Sequence, residues 1–191
     1  MKEIEKYTID ELGIPSMVLI ERASMAATKI IMEKIKPESV LVISGPGNNG
    51  ADGYAISRML IEKGVAVYNI FVGNKDKCTT ENKAETGILN AMGHNIISFD
   101  DVKNNNKTEF GNGLLIGGGI LLKRKYDLII DGLLGIGINR NLEGEILEAV
   151  EFINSKKDKS FILSLDIPTG LNADNGMVCG TCVNADATIT F

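Results

Sequence analysis

The feature that most constrains this chain is a repeated alternation of short apolar runs with segments of helical spacing. Val40-Leu41-Val42-Ile43 is one such run, closed by Gly45, and further runs are Val65–Val72, Asn95–Phe99, Asp127–Asp131, Phe161–Asp166 and Asp186–Phe191. Strands that are apolar on both sides, rather than on alternate residues, belong in parallel sheets covered on both faces. Between them the spacing predicts helices over about Ala51–Lys63, Glu81–Met92 and Glu143–Asn154. The first of these has Ala55, Ile56, Met59 and Leu60 on its inner face and Gly64 at its end. Strands alternating with helices at about 30-residue intervals specify right-handed βαβ units. The expected fold is therefore α/β: a single Rossmann-like, doubly wound, mainly parallel sheet with helices on both faces, three layers in all.

Two more helices precede the first strand. One runs from Met1 to about Leu12 and stops at Gly13 and Pro15; the other runs from Pro15 to about Ile35. In the second, Val18, Leu19, Ala23, Ala26, Ala27, Ile30 and Ile31 form one stripe at helical spacing, expected to face the core. Met17, Met25 and Met32 read as core filler rather than a soft metal box. Asp100–Lys107 reads as a polar loop, and the glycine-rich stretch through Gly117-Gly118-Gly119 carries no assignable period.

Composition narrows the function classes. The 191 residues suit one domain, with 44% apolar and 24% charged residues, as in ordinary globular chains. The net charge of −5, without a basic block, argues against nucleic acid as a partner. No stretch approaches the roughly 20 apolar residues of a membrane span. The N-terminus lacks a signal or transit pattern, and three cysteines make no disulfide framework, so the expected location is the cytoplasm.

In doubly wound sheets ligands bind outside the carboxyl ends of the strands, where strand order reverses. Three polar loops of this chain occupy such ends. Gly45-Pro46-Gly47-Asn48-Asn49-Gly50 matches G-x-G-x-x-G between a strand and a helix, a geometry that admits a pyrophosphate. Hydride-transfer enzymes of this type also need an acid about 20 positions on. Here that region reads Ile70-Phe71-Val72-Gly73-Asn74, with no carboxylate before Asp76, which disfavours an NAD(P)-dependent oxidoreductase. Asn48, Asn49 and Asp52 exceed what a phosphate cradle requires, although Asn and Asp also serve simply as helix caps.

Asp131 and Asp166 each end an apolar strand, one βαβ unit apart, and neighbouring strands would set them side by side. For Asp131 the bland alternative is a carboxylate bonding the turn amides after its strand. The Asn49 amide, the Asp131 carboxylate and the Thr169 hydroxyl together suit a hard cation rather than a transition metal.

With these residues in place the sequence resembles the NAD(P)H-hydrate epimerase family, the YjeF N-terminal domain type of nicotinamide-nucleotide repair enzymes. The resemblance is carried by Gly13-Ile14-Pro15-Ser16, Leu19-Ile20-Glu21-Arg22-Ala23, Gly45–Gly53, Asp131–Gly137, Asp166-Ile167-Pro168-Thr169-Gly170 and Ala187–Phe191. It implies interconversion of the R and S forms of hydrated NADH and NADPH (NADHX and NADPHX) at C6, feeding an S-specific, ADP- or ATP-dependent dehydratase, fused or separate. It further implies that Asn48, Asn49, Gly50, Ala51, Asp52, Gly135, Ile136, Gly137, Ile138, Asn139, Arg140 and Asn141 line the substrate site. Asp166 would contact the hydrated ring and catalyse, and Asn49, Asp131 and Thr169 would bind a potassium ion; many relatives have serine in place of Thr169. A homodimer is a possible assembly. Relatives generally continue past the Thr190-Phe191 pair, so residues 1–191 are expected to form one such domain without its last strands. The competing reading is a non-catalytic nucleotide-binding or scaffold module of the same fold, which tends to lose these site residues.

Other features are set aside. Cys179 and Cys182 fit C-x-x-C but lack the helix N-terminus of a redox pair and the further ligands of a zinc site. His94 reads as a turn residue, and Lys123-Arg124-Lys125 as a solvated face.

Overall fold

The structure, a computed structural model, describes residues 2–104, 107–109 and 115–191. In chain order the first half contains α1 (Lys2–Asp10), α2 (Ser16–Lys34), β1 (Ser39–Ser44), α3 (Asn48–Glu62), β2 (Ala66–Phe71), α4 (Thr80–Ala91) and β3 (Ile96–Ser98). Then come α5 (Phe99–Lys103), β4 (Lys107–Glu109), β5 (Leu115–Gly117), α6 (Gly118–Lys123), β6 (Leu128–Gly132), α7 (Gly144–Asn154), β7 (Phe161–Leu165) and β8 (Ala187–Ile189). Six strands make one parallel sheet in the order β3-β2-β1-β6-β7-β8, as the apolar runs predict. β4 and β5 pair antiparallel by themselves.

Alternate residues of the central strands feed two cores. Leu41, Ile43, Ile129 and Ile162 point toward Phe99, Val102 and the α7 residues Ala149, Val150 and Ile153. Val40, Val42, Leu128, Ile130 and Leu163 point the other way, onto Ala27 and Ile31 of α2 and Ile56 and Leu60 of α3. Each such fully buried aliphatic side chain contributes about 1.5–3 kcal/mol. The inner face expected for α3 is the one observed, with Ala55, Ile56, Met59 and Leu60 all buried.

Several expectations need correction. α2 is rotated relative to its apolar stripe: Ala27 and Ile31 are buried, but Val18, Ala26 and Ile30 are exposed. The buried face is Ile20, Ser24, Ala27, Thr28 and Ile31. Small side chains let α2 approach α3 closely, where the Ser24 hydroxyl donates to the Asp52 carbonyl (3.3 Å) and the Thr28 hydroxyl to Met59 Sδ (3.7 Å). Close packing and satisfied polar groups outweigh the larger aliphatics here. Met17 and Met32 pack on the cores as expected, but Met25 is 61% exposed.

The polar loop expected over Asp100–Lys107 starts instead as α5, capped by Ser98, whose Oγ accepts the Asp101 N–H at 3.1 Å. Asn105 and Asn106 of that loop lie outside the described residues. His94 follows a turn, and Lys123–Lys125 is exposed, with Arg124 over the Tyr68 ring at 4.8 Å. Cys179 and Cys182 are free thiols. No helix among the described residues is long and apolar enough to cross a membrane.

Candidate active site

The chain runs from β1 outward to β3, then returns to the opposite side of β1 as β6. Strand order thus reverses between β1 and β6, and the crevice beyond their carboxyl ends is where such a sheet takes a ligand. Gly45 and Gly132 close the seam, the Gly45 N–H bonding the Gly132 carbonyl at 3.0 Å.

β1 feeds the first loop. α3 begins at Asn48, earlier than its sequence suggests, after Gly47 in extended conformation. No side chain caps it, so the capping explanation for Asn48 and Asn49 does not hold. Asn48 is exposed, Gly50 and Ala51 are buried, and Asp52 is half-buried. Asn49 is only 8% exposed, yet neither its Oδ1 nor its Nδ2 has a hydrogen-bond partner among the described residues. An orphaned buried amide costs about 1–3 kcal/mol, which marks a position prepared for something else.

β6 supplies the floor. Asp131 is fully buried and sits opposite Ile43 on one side and Ser164 on the other. Its carboxylate accepts from the Thr169 hydroxyl (2.7 Å), the Ser164 hydroxyl (2.8 Å), the Thr169 N–H (2.9 Å) and the Leu133 N–H (3.2 Å). Burial pushes the Asp131 carboxyl above the ordinary range, opposed by the bonds from Thr169, Ser164 and Leu133. The bland account of Asp131 as a turn-bonding residue is thus part of the truth, since Leu133 belongs to that turn. All four donors are neutral, so the charge itself has no counterion in this set.

β7 supplies the second acid. Because Asp131 stands opposite Ser164, Asp166 lies two positions further out than a side-by-side pairing would put it. Asp166 has φ +64, a left-handed backbone that is costly for a residue other than glycine. Its N–H bonds the Ile189 carbonyl at 2.7 Å, and its Oδ2 accepts the Ile136 N–H at 3.1 Å. Gly135 makes that approach possible: a Cβ there would lie 2.7 Å from Asp166 Oδ2 and 3.6 Å from the Asn49 Cβ. Asn49, Gly135 and Asp166 are therefore brought to one point. Asp52 feels the same point, its carboxyl pushed up to about 8 by burial and by the negative charges of Asp166, Glu5 and Glu85.

The loop after β6 is only partly gathered in. Gly135, Ile136 and Ile138 are half-buried, and Asn172 Nδ2 holds the Ile138 carbonyl at 2.9 Å. Gly137, Asn139, Arg140 and Asn141 are exposed on an outward arm. Two shallow grooves on the α2 side, one lined by Met25 and Met32 and one by Val18 and Ile88, lie away from these residues.

As to a cation, Asn49, Asp131 and Thr169 carry oxygens of the kind a hard ion takes: one amide without a partner among the described residues, and one buried carboxyl and one hydroxyl bonded to each other. Two polar participants, Ser164 and Asn82, escape the reading of the residues in order. Ser164 carried one available signal, a lone hydroxyl in the apolar run Phe161–Leu165. Asn82 of α4 carried none.

The profile of the family described as YjeF-related protein N-terminus matches residues 16–191. The chain belongs to that family. Relatives within the YjeF-related group include the NAD(P)H-hydrate epimerase of Oenococcus oeni, 35% identical over 98% of this chain and 80% of that protein. Those of Weissella koreensis and Limosilactobacillus reuteri are 33% and 35% identical over 100% of this chain, covering 77% and 81% of their own lengths. The crystal structure of yeast ynu0, YNL200c, superposes with a TM-score of 0.79 at 22% identity, over 99% of this chain and 76% of that one. This likeness shows the shared fold.

Proposed function

We propose that this YjeF-related chain is an NAD(P)H-hydrate epimerase, an isomerase interconverting the R and S forms of hydrated NADH and NADPH at C6. The observation that carries the reading is Asp166: a carboxylate on a strained backbone, one oxygen fixed by the Ile136 N–H, set over Gly135 beside the orphaned Asn49 amide. Strain of this kind is retained where geometry serves chemistry.

C6 of the hydrated ring is a carbinolamine carbon. The ring-nitrogen lone pair can form a C=N bond as the C6–O bond breaks, and the oxygen leaves as water once protonated. Water returning to the other face of the planar centre, with loss of a proton, gives the other epimer. Atoms balance and no redox step is required. Asp166 delivers and recovers the proton at Oδ1, because Oδ2 is engaged by Ile136.

The amide end of α3, from Asn48 through Gly50, Ala51 and Asp52, suits the substrate's pyrophosphate. The loop Gly135 to Asn141 would cover the nucleotide. Asn49, Asp131 and Thr169 would hold a potassium ion, which when bound supplies a fixed positive charge that orients the substrate. In the same reading residues 1–191 make one domain, with β8 at the edge of the sheet beside β7. The S form would pass to a dehydratase in the cytoplasm. Val18, Met25 and Ile88, exposed apolar side chains, support a homodimer, which light scattering would test.

The direct test supplies mixed epimers of hydrated NADH with an S-specific dehydratase. Added protein should let the R fraction be consumed too, faster in potassium than in lithium. An R fraction that persists rejects the reading.

A further inference from the structure

The loop that leads into α3 is held from outside by a helix to which the proposed chemistry assigns no role. Three consecutive carbonyls, those of Gly45, Pro46 and Gly47, all accept hydrogen bonds from the start of α4. Asn82 Nδ2 donates to the Gly45 carbonyl at 2.9 Å and to the Gly47 carbonyl at 3.2 Å. The Thr79 N–H donates to the Pro46 carbonyl at 3.0 Å. Asn82 is only 1% exposed, and its own N–H is tied to Thr79 Oγ1 at 3.2 Å.

The arrangement also accounts for Gly50. A Cβ at that position would lie 2.0 Å from the Gly45 carbonyl oxygen and 2.8 Å from Asn82 Nδ2, so the first turn of α3 can pass here only as glycine. Carbonyls left free at this turn would repel an anion, whereas carbonyls drawn toward α4 leave the amide end of α3 to face it.

We propose that Asn82 is a positioning residue that shapes the Gly45–Gly50 loop for an anionic dinucleotide, acting on substrate binding rather than on the chemical step. Both hydrogens of its amide are used, one on each side of Pro46, which no hydroxyl or carboxylate can reproduce. The proposal deepens the epimerase reading and depends on it for the identity of the ligand; the loop geometry stands without it.

The test compares Asn82→Asp, Asn82→Ser and Thr79→Ala with the unmodified protein, using hydrated NADH in the dehydratase-coupled assay. Asn82→Asp keeps the shape but sets a carboxylate against two carbonyls. Its KM should rise about tenfold or more with kcat within about twofold, since even one of the two lost hydrogen bonds, expressed in binding, has about that effect. Lowering the pH should narrow that KM defect, because the protonated acid regains one donor, and Asn82→Ser should fall between the two. Thr79→Ala loses a helix cap but keeps its backbone bond to Pro46, so it should lower Tm while leaving KM in place.

Amide hydrogen exchange provides a readout that needs no activity: exchange over residues 47–51 should quicken in Asn82→Asp, while the amides of β1 stay protected. If the unmodified protein lacks epimerase activity, the functional reading fails and exchange alone decides on Asn82. Unchanged exchange, or a kcat loss with constant KM, overturns the proposal.

Discussion

The ends of β6 and β7 carry the same residue and use it in opposite ways. Asp131 is walled in, its two oxygens shared among four neutral donors. Asp166 is half-buried, holds a left-handed backbone, and its carboxylate takes one donor among the described residues, the Ile136 N–H. The first carboxyl braces the seam between loops; the second is held in place by the fold with one oxygen left for outside chemistry. Equal chemistry on neighbouring strands therefore divides into framework and reagent according to the partners each side chain is given.

The sharpest way to break this contrast is Asp166→Asn. Epimerisation should fall by about 100-fold or more, the usual worth of a positioned acid–base group, while Tm stays nearly unchanged. A large stability loss with retained turnover would reverse the two roles. Asp131→Ala should strike the framework as well as the cation site, costing about 3 kcal/mol in urea unfolding, because Ser164 and both polar groups of Thr169 lose their acceptor.

A subtler variant is Gly135→Ala. The added methyl presses on Asp166 Oδ2, so kcat should drop, on the order of tenfold, with little change in Tm. Smallest is the pH response of Asp52. Its folded value of about 8 lies above the ordinary 3.8, so the folded state holds the proton more tightly than the unfolded chain. Stability should therefore fall as pH rises from about 4 to about 8 and level off beyond. Asp52→Asn should flatten that slope, leaving the variant more stable near pH 8 than the parent, as measured by urea unfolding at pH 5 and pH 8.

Most of the framework was legible from residue order. Buried parallel strands are apolar on both faces, so Val40–Ile43 and Phe161–Leu165 announce themselves, and an aspartate closing such a run is conspicuous. The same local reasoning failed where contacts across the molecule decide. Asn48-Asn49-Gly50 has poor helix propensity, and only the fit of Gly50 against Gly45 and Asn82 lets α3 begin there. α2 turns its Ser24 and Thr28 inward because α3 offers them partners, which no period in α2 could reveal. The outward step of Asp166 relative to Asp131 is a matter of strand register. Asn82 reads as an ordinary polar helix residue until the loop it grips is seen in three dimensions.

The pairing of β1 with β6 has a bearing on how the polypeptide is made. Val40 meets Val67 early in synthesis but must wait for Leu128 to emerge before its other flank is covered. Until then the nascent β1 presents a bare apolar edge on the ribosome, and the crevice has only one wall. Closure of this central joint, which spans a long loop of chain, is thus the slow and aggregation-exposed event in the protein's birth, and a molecule seated across it afterwards would act as a rivet between the two halves.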